Sequence, residues 1–310
     1  MAPSFLQLSL RILPLCFLLS SSPVSPATFT VVNQCDYTVW PGILTGAGTS
    51  PLSPTGFSLG PGESQSLTVP PSWSGRLWGR SGCSNDPTGK FSCVTGDCGS
   101  GVPECNGSGA KPPATLAEFT LNGSGGQDFY DVSLVDGYNL PMQVAPKGGT
   151  GSCSVTDCPA DVNSFCPAEL RMTAAGNDQP VACRSACEAF GSAEYCCNGD
   201  HGTPDTCVPS EYAQTFKRAC PLAYSYAYDD HTSTFTCTGA DYVITFCPSS
   251  SPSEKTSGGQ NTTTGGGGGG GTGGGLIISG GVSAAAPSPL GIWALLMFVP
   301  AILQQLIHAQ

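Results

Sequence analysis

LAEFTLNGSGGQDFYDVSLVDGYNLPM, residues 116–142, decides how the chain folds. Ala117, Phe119 and Leu121 alternate with polar residues, and so do Tyr130, Val132 and Leu134. Side chains in a strand point to opposite faces in turn, so each run reads as a half-buried β-strand. Asn122-Gly-Ser-Gly-Gly between them is turn chemistry. The same stretch gathers Glu118, Asp128, Asp131 and Asp136 without a Lys or Arg, in a chain that is only 11% charged. Period two sends Glu118 and Asp131 to the faces opposite the apolar ones. Asp136 lies at odd spacing from Asp131, which a flat strand would place on the other side. Asp136-Gly137, however, is a turn signal that can swing it back.

Strand-like runs continue on both sides. ATFTVVNQCDYTVWPGIL (27–44), SLTVPPSW, GRLWGR, TSTFTC and DYVITFC are short, rich in β-branched and aromatic residues, and separated by turns. With Gly 42 and Pro 27 in the composition, this predicts a mainly β fold, an antiparallel sandwich or barrel. The segment from Asn163 to Cys220 differs. It is dense in cysteine, and Val181, Cys183, Cys187 and Phe190 fall at helical spacing ahead of Gly191. It reads as a disulfide-stapled subdomain with one or two short helices, about 161–220, inserted between strands.

The two ends set the compartment. Arg11, the apolar run Ile12–Leu19 and the small residues Ser25-Pro26-Ala27 form a secretory leader over 1–27, too short for a membrane span. The cysteines number 17, and only Cys16 falls in the leader; the others lie between Cys35 and Cys247. An even set of thiols in an exported chain makes eight disulfides, which is preferred over zinc at Cys196-Cys197 or Cys183/Cys187. Residues 28–248 form the body, long enough for one core. From 249 to 289 the chain is Ser/Gly-rich and reads as a disordered tether. Residues 290–310 are apolar, and with the small residues before them they match a lipid-anchor signal, attached at Ser279, Gly280 or Ser283. Pro300, Gln304, Gln305 and the missing basic flank argue against a retained helix. Asn106, Asn122 and Asn261 head glycosylation sequons. A net charge of -11 argues against nucleic acid or anionic lipid as partner. Neither a metal nor a cofactor is expected.

GKFSCVTGDCGSGVPEC (89–105), preceded by WGRSGC and followed by TLAEF, YDVSLVDGYNLPM, CRSAC, EYCCNG and STFTC, resembles the thaumatin-like proteins along the whole body. The resemblance implies a β-sandwich core, a disulfide-rich helical lobe, a small loop lobe, and a cleft between core and helical lobe. It implies the pairs Cys35–Cys247, Cys83–Cys93, Cys98–Cys105, Cys153–Cys237, Cys158–Cys220, Cys166–Cys183, Cys187–Cys196 and Cys197–Cys207. It also implies an acidic cleft of one arginine, one glutamate and three aspartates. Position by position these fall on Arg80 (or Arg76), Glu118, Asp131, Asp136 and Asp229 (or Asp230). Glu118 is then the expected proton donor and Asp131 its partner, because crowded acids split their pKa values as glycoside hydrolysis requires. The implied function is an extracellular, lipid-anchored defence protein, a monomer, that binds β-1,3-glucan or another wall polysaccharide. It stands at the outer leaflet of the plasma membrane, or in the apoplast. Weak endo-β-1,3-glucanase and antifungal activity is one reading. A non-enzymatic surface protein that contacts walls or perturbs membranes is the other. Trp40, Trp73 and Trp78 read as core or strand-face aromatics, and Tyr224, Tyr226 and Tyr228 as a cleft lining.

Overall fold

A computed structural model of the chain describes residues 25–249 except 175 and 177. Nearly all of the leader, the tether, the C-terminal signal, Asn261 and Ser279 lie outside the described residues. Thirteen strands form: β1 (Ala27–Asn33), β2 (Trp40–Thr45), β3 (Ser64–Val69), β4 (Ser74–Arg80), β5 (Ser84–Asn85), β6 (Phe91–Ser92), β7 (Leu116–Thr120), β8 (Asp128–Ser133), β9 (Met142–Thr150), β10 (Thr156–Cys158), β11 (Arg171–Thr173), β12 (Pro180–Cys183) and β13 (Phe235–Phe246). The helices are short: α1 (Ala186–Phe190), α2 (Ala193–Cys196), α3 (Glu211–Ala219) and α4 (Asp230–Ser233).

The large sheet runs β10-β9-β13-β8-β7-β4-β2, with β1 beside β13 and β3 beside β1. Strand β13 is the switch. Phe235–Cys237 pair with β8, whereas Tyr242–Phe246 pair with the parallel strand β1, and β9 follows the other edge. The sheet therefore curls into two facing layers, β2-β4-β7-β8 and β3-β1-β13-β9-β10. Phe29 of one layer meets Phe119 of the other at 4.4 Å, and Tyr242 meets Phe119 at 5.2 Å and Tyr130 at 5.1 Å. Such aromatic pairs add roughly 0.5–1.5 kcal/mol each beyond the area they bury. Asp128, one of the clustered acids, is spent here: it accepts the Tyr242 hydroxyl at 2.8 Å and the Asn122 backbone N–H at 2.8 Å.

Residues 81–115 form a loop lobe over one end of the outer face of β4 and β7. Trp78 and Leu116 are buried there with Cys98, Cys105 and Ala114, and the Trp78 indole donates to the Gly96 carbonyl at 2.8 Å. The helical lobe is joined to the core by a backbone bridge between Tyr138 and Cys183, both bonds 2.8 Å. Helix α1 begins at Ser185, whose hydroxyl accepts from Glu188 N–H, and ends at Gly191 in the left-handed region. The helical spacing of Val181 and Cys183 is overruled, since Pro180–Cys183 is strand β12, paired with β11. The eight disulfides join the pairs that the resemblance implies. Among the described residues no helix is long and apolar enough to cross a membrane.

Candidate functional site

The acids meet because of strand register. Arg76 lies directly opposite Glu118 across β4 and β7, and Glu118 lies directly opposite Asp131 across β7 and β8. Opposed residues share a face with Cβ atoms about 4.5–5.5 Å apart. Their neighbours along the strands, Leu77, Ala117, Phe119, Tyr130 and Val132, fill the core. The row Arg76–Glu118–Asp131 consequently stands on the outer face of the layer.

Two loops close round this row. After β8 the chain turns back, with Gly137 N–H bonded to the Leu134 carbonyl at 2.9 Å. The turn carries Asp136 to within 3.9 Å of the Arg76 guanidinium. Gly137 has φ 85°, and a Cβ there would lie 2.7 Å from the Cys183 carbonyl and 2.6 Å from Pro113. Only glycine lets this turn press so closely against the helical lobe. The second loop runs beside β8 through the bonds Tyr224 N–H to Val132 carbonyl (2.9 Å) and Leu134 N–H to Tyr224 carbonyl (2.8 Å). It then delivers α4, whose first residue, Asp230, accepts the Tyr224 hydroxyl at 3.0 Å.

Asp131 is perturbed by its surroundings. Burial raises its carboxyl well above the usual range, and the charges of Glu118 and Asp230 raise it further. Its Oδ1 is buried and makes no hydrogen bond. Sequence reading missed Glu188 of α1, an exposed acid whose charge acts together with that of Asp136. Part of its side chain stays in solvent, yet burial of the carboxyl pushes it up to about 7, against the pull of Arg184 and with Asp136 adding to the rise. The signal that could have found it is the serine cap: Ser185 followed three residues later by Glu188 is a capping pattern that places Glu188 in the first turn of a helix.

Two expected positions are corrected. Arg80 is not in the cleft. It is fully buried under the loop lobe, donating to the carbonyls of Trp40 (2.9 Å), Pro41 (3.1 Å) and Pro103 (2.6 Å) and lying 5.5 Å over the Phe91 ring. Desolvation pulls its pKa down to about 10, against the charges of Asp97 and Glu104. Arg76 is the arginine that reaches the acids. Asp229 likewise turns inward: Lys217 holds it at 2.9 Å, and it accepts from Ser225 N–H and hydroxyl (3.0 Å each) and from Thr232 (2.8 Å). Asp230 is the member whose charge acts on Asp131. Trp73 and Trp78 are buried, and Trp40 leans on Phe91. Tyr224 is buried beside the acids, Tyr226 is half-buried, and the Tyr228 hydroxyl donates to the Gly202 carbonyl at 2.7 Å. Asn106 is exposed, whereas the Asn122 amide donates to Ser72 at 3.0 Å. Among the described residues no set of three or more His, Cys, Asp or Glu is placed to hold a metal ion.

A family model described as the thaumatin family matches residues 33–248. The chain belongs to the thaumatin family. It is 58% identical over 244 residues to a pathogenesis-related thaumatin-like protein 3.5 of Cryptomeria japonica, which covers 79% of this chain and 99% of that protein. It is 55% identical over 233 residues to a Prunus avium protein named glucan endo-1,3-beta-glucosidase, covering 74% of this chain and 94% of that protein. A third relative, a PR5-like receptor kinase of Arabidopsis thaliana, is 54% identical over 259 residues, covering 79% of this chain and 39% of that protein.

Proposed function

We propose that this thaumatin-family protein works outside the cell as a defence protein that binds β-1,3-glucan in its acidic groove and hydrolyses it slowly. The observation that carries this reading is the cross-strand row Arg76–Glu118–Asp131, with Asp136 and Asp230 closing round it. Glycoside hydrolysis needs one carboxyl that holds a proton and one that does not. Burial and the neighbouring charge of Glu118 raise the Asp131 carboxyl, so the pair favours holding one proton between its two carboxyls. In this reading Glu118 is the proton donor and Asp131 its partner. Asp136, Arg76 and Asp230 bind sugar hydroxyls and hold the pair in place. Directly opposed strands favour a carboxyl separation near the ~5–5.5 Å of retaining enzymes over the ~6.5–9.5 Å of inverting ones. The similarity to a protein named as a glucan endo-1,3-beta-glucosidase supports the same substrate.

The leader, the sequons at Asn106, Asn122 and Asn261, the tether and a lipid anchor at Ser279 remain part of this proposal, as does a monomer at the outer membrane face. The test uses protein secreted from the full-length chain in a plant host. It is incubated with laminarin beside Glu118→Gln and Asp131→Asn. The expected result is binding by all three and release of reducing ends, with the β-anomer formed first, by the parent alone. Binding without sugar release by the parent removes the hydrolase reading. That outcome supports the other reading, a non-enzymatic wall-contacting protein, which the match to the receptor kinase favours.

A further inference from the structure

We propose that Lys217 of α3 is a positioning residue of the groove: its ammonium ties together the loop of residues 223–233, and so holds Tyr224 against β8 and Asp230 on Tyr224. The inference rests on reading the groove as a glucan site in which Asp230 takes part.

An ammonium has three donors and no acceptor. Lys217 directs them to the Ala223 carbonyl at 3.0 Å, the Ser233 hydroxyl at 2.7 Å and the Asp229 carboxylate at 2.9 Å. Ala223 and Ser233 are the two ends of the loop, and both are buried. Asp229 lies between them and gathers the rest. Its Oδ2 also accepts the Ser225 N–H and hydroxyl, at 3.0 Å each, and its Oδ1 accepts the Thr232 hydroxyl at 2.8 Å. A loop whose ends adjoin and whose own side chains fill it is a compact unit. Here the centre of that unit is a cation supplied from another element.

Charge explains why a lysine stands there. The loop carries two adjacent acids, Asp229 and Asp230, to a layer that already holds Glu118, Asp131 and Asp136. A buried carboxylate needs a partner of opposite charge. Lys217 is that partner for Asp229. Arg76 is engaged with Asp136, Arg218 of α3 is exposed and bonded to Thr215 at 2.9 Å, and His231 of α4 is exposed. With Asp229 turned to α3, Asp230 accepts the Tyr224 hydroxyl at 3.0 Å. Tyr224 is fixed to β8 through its own peptide groups: its N–H bonds the Val132 carbonyl and its carbonyl accepts from Leu134 N–H. Its bridge partner on β8 is Ser133, which shares a strand face with Asp131. Bonds therefore connect the ammonium to the acid face of β8.

Helix α3 does not depend on Lys217 for its place. Phe216 is buried in the core, and Cys220, just past the helix, is joined to Cys158 of β10. Removing the ammonium should free the loop and leave the helix.

The experiment compares the secreted full-length protein with Lys217→Met, Asp229→Asn, Asp230→Asn and the double variant Lys217→Met/Asp230→Asn. Hydrogen exchange needs no sugar. In Lys217→Met the amides of Tyr224, Ser225 and Thr232 should exchange at least about tenfold faster, the worth of one hydrogen bond to a charged group, while those of β1 keep their rates. Asp229→Asn should open the same amides and decides the matter if the lysine variant does not fold. Laminarin affinity is the second readout. Lys217→Met should weaken it about tenfold in the parent and by less than about twofold in the Asp230→Asn background, because the lysine acts through Asp230. Unchanged exchange of the loop amides in the folded variants overturns the proposal. So does an equal loss of affinity in both backgrounds, the mark of a residue that only stabilises the fold. A parent protein that does not retain laminarin overturns the glucan reading, whereas the exchange rates still decide whether Lys217 holds the loop.

Discussion

Two arginines, Arg76 and Arg80, stand four residues apart on the same strand and face, and the structure assigns them opposite jobs. Replacing Arg80 with Met takes the guanidinium from the carbonyls of Trp40 and Pro103 and from that of Pro41, which keeps the Phe57 N–H at 3.3 Å. Each bond to a charged donor contributes roughly 1.5–3 kcal/mol, and each buried carbonyl left unpaired costs about 1–3 kcal/mol. Burying a guanidinium itself costs several kcal/mol, which the substitution recovers. The net expectation is a loss of about 3–5 kcal/mol, the range for breaking a buried charged contact. In a domain of this size that lowers the melting temperature by roughly 6–20 °C. Arg76→Met removes an ion pair 3.9 Å long between side chains 14% and 29% exposed, and at that length it contributes about 1 kcal/mol. The melting temperature should fall by no more than about 4 °C, while laminarin retention on an affinity column falls. Thermal unfolding and the column assay on both variants decide the matter. Arg80→Met melting with the parent protein, or Arg76→Met unfolding early with full glucan retention, would refute the assignment.

Gly137→Ala should move the Asp136 turn, because φ 85° disfavours a side chain and its Cβ would meet Pro113 at 2.6 Å and Cys183 O at 2.7 Å. We expect about 1–3 kcal/mol of destabilisation, and weaker glucan binding in the fraction that folds; unaltered binding with unaltered stability would contradict the close approach. The parent protein should lose stability as pH rises from about 4.5 to about 7. In that window Glu188 binds a proton in the folded state and releases it in the unfolded one, and Asp131 acts in the same direction. Glu188→Gln should flatten the slope partially, since solvent screens a carboxyl that is partly exposed. Melting curves at three pH values across the window test this, and an identical slope in parent and variant counts against it.

The outer face of β7 and β8 was legible because alternation is a local rule: once Phe119 and Tyr130 point inward, Glu118 and Asp131 must point out. The arginine was not. Arg76 and Arg80 satisfy the same alternation, and what separates them is the loop lobe, folded from residues far along the chain onto Trp78 and Arg80. The Asp229–Asp230 pair fails for a related reason. Helix α4 starts between the two residues, so adjacent carboxyls diverge, one held by Lys217 and one by the Tyr224 hydroxyl. Val181–Cys183 has helical spacing only through the cysteines. A short apolar run cannot separate helix from strand, and pairing with β11 settles it as strand. Asp136 needed a turn whose direction its Asp-Gly signal permits but does not dictate.

Strand β13 ends at Phe246, and Cys247 is tied at once to Cys35, just past the end of β1. Both β1 and this end of β13 lie in the layer behind the acids. Anything joined beyond Ser249, whether a resin, a fluorescent reporter or a lipid-bearing segment, would grip the molecule by its back. Its mouth would stay turned toward the medium, so immobilisation through the C-terminus is the orientation in which long polysaccharides can reach it.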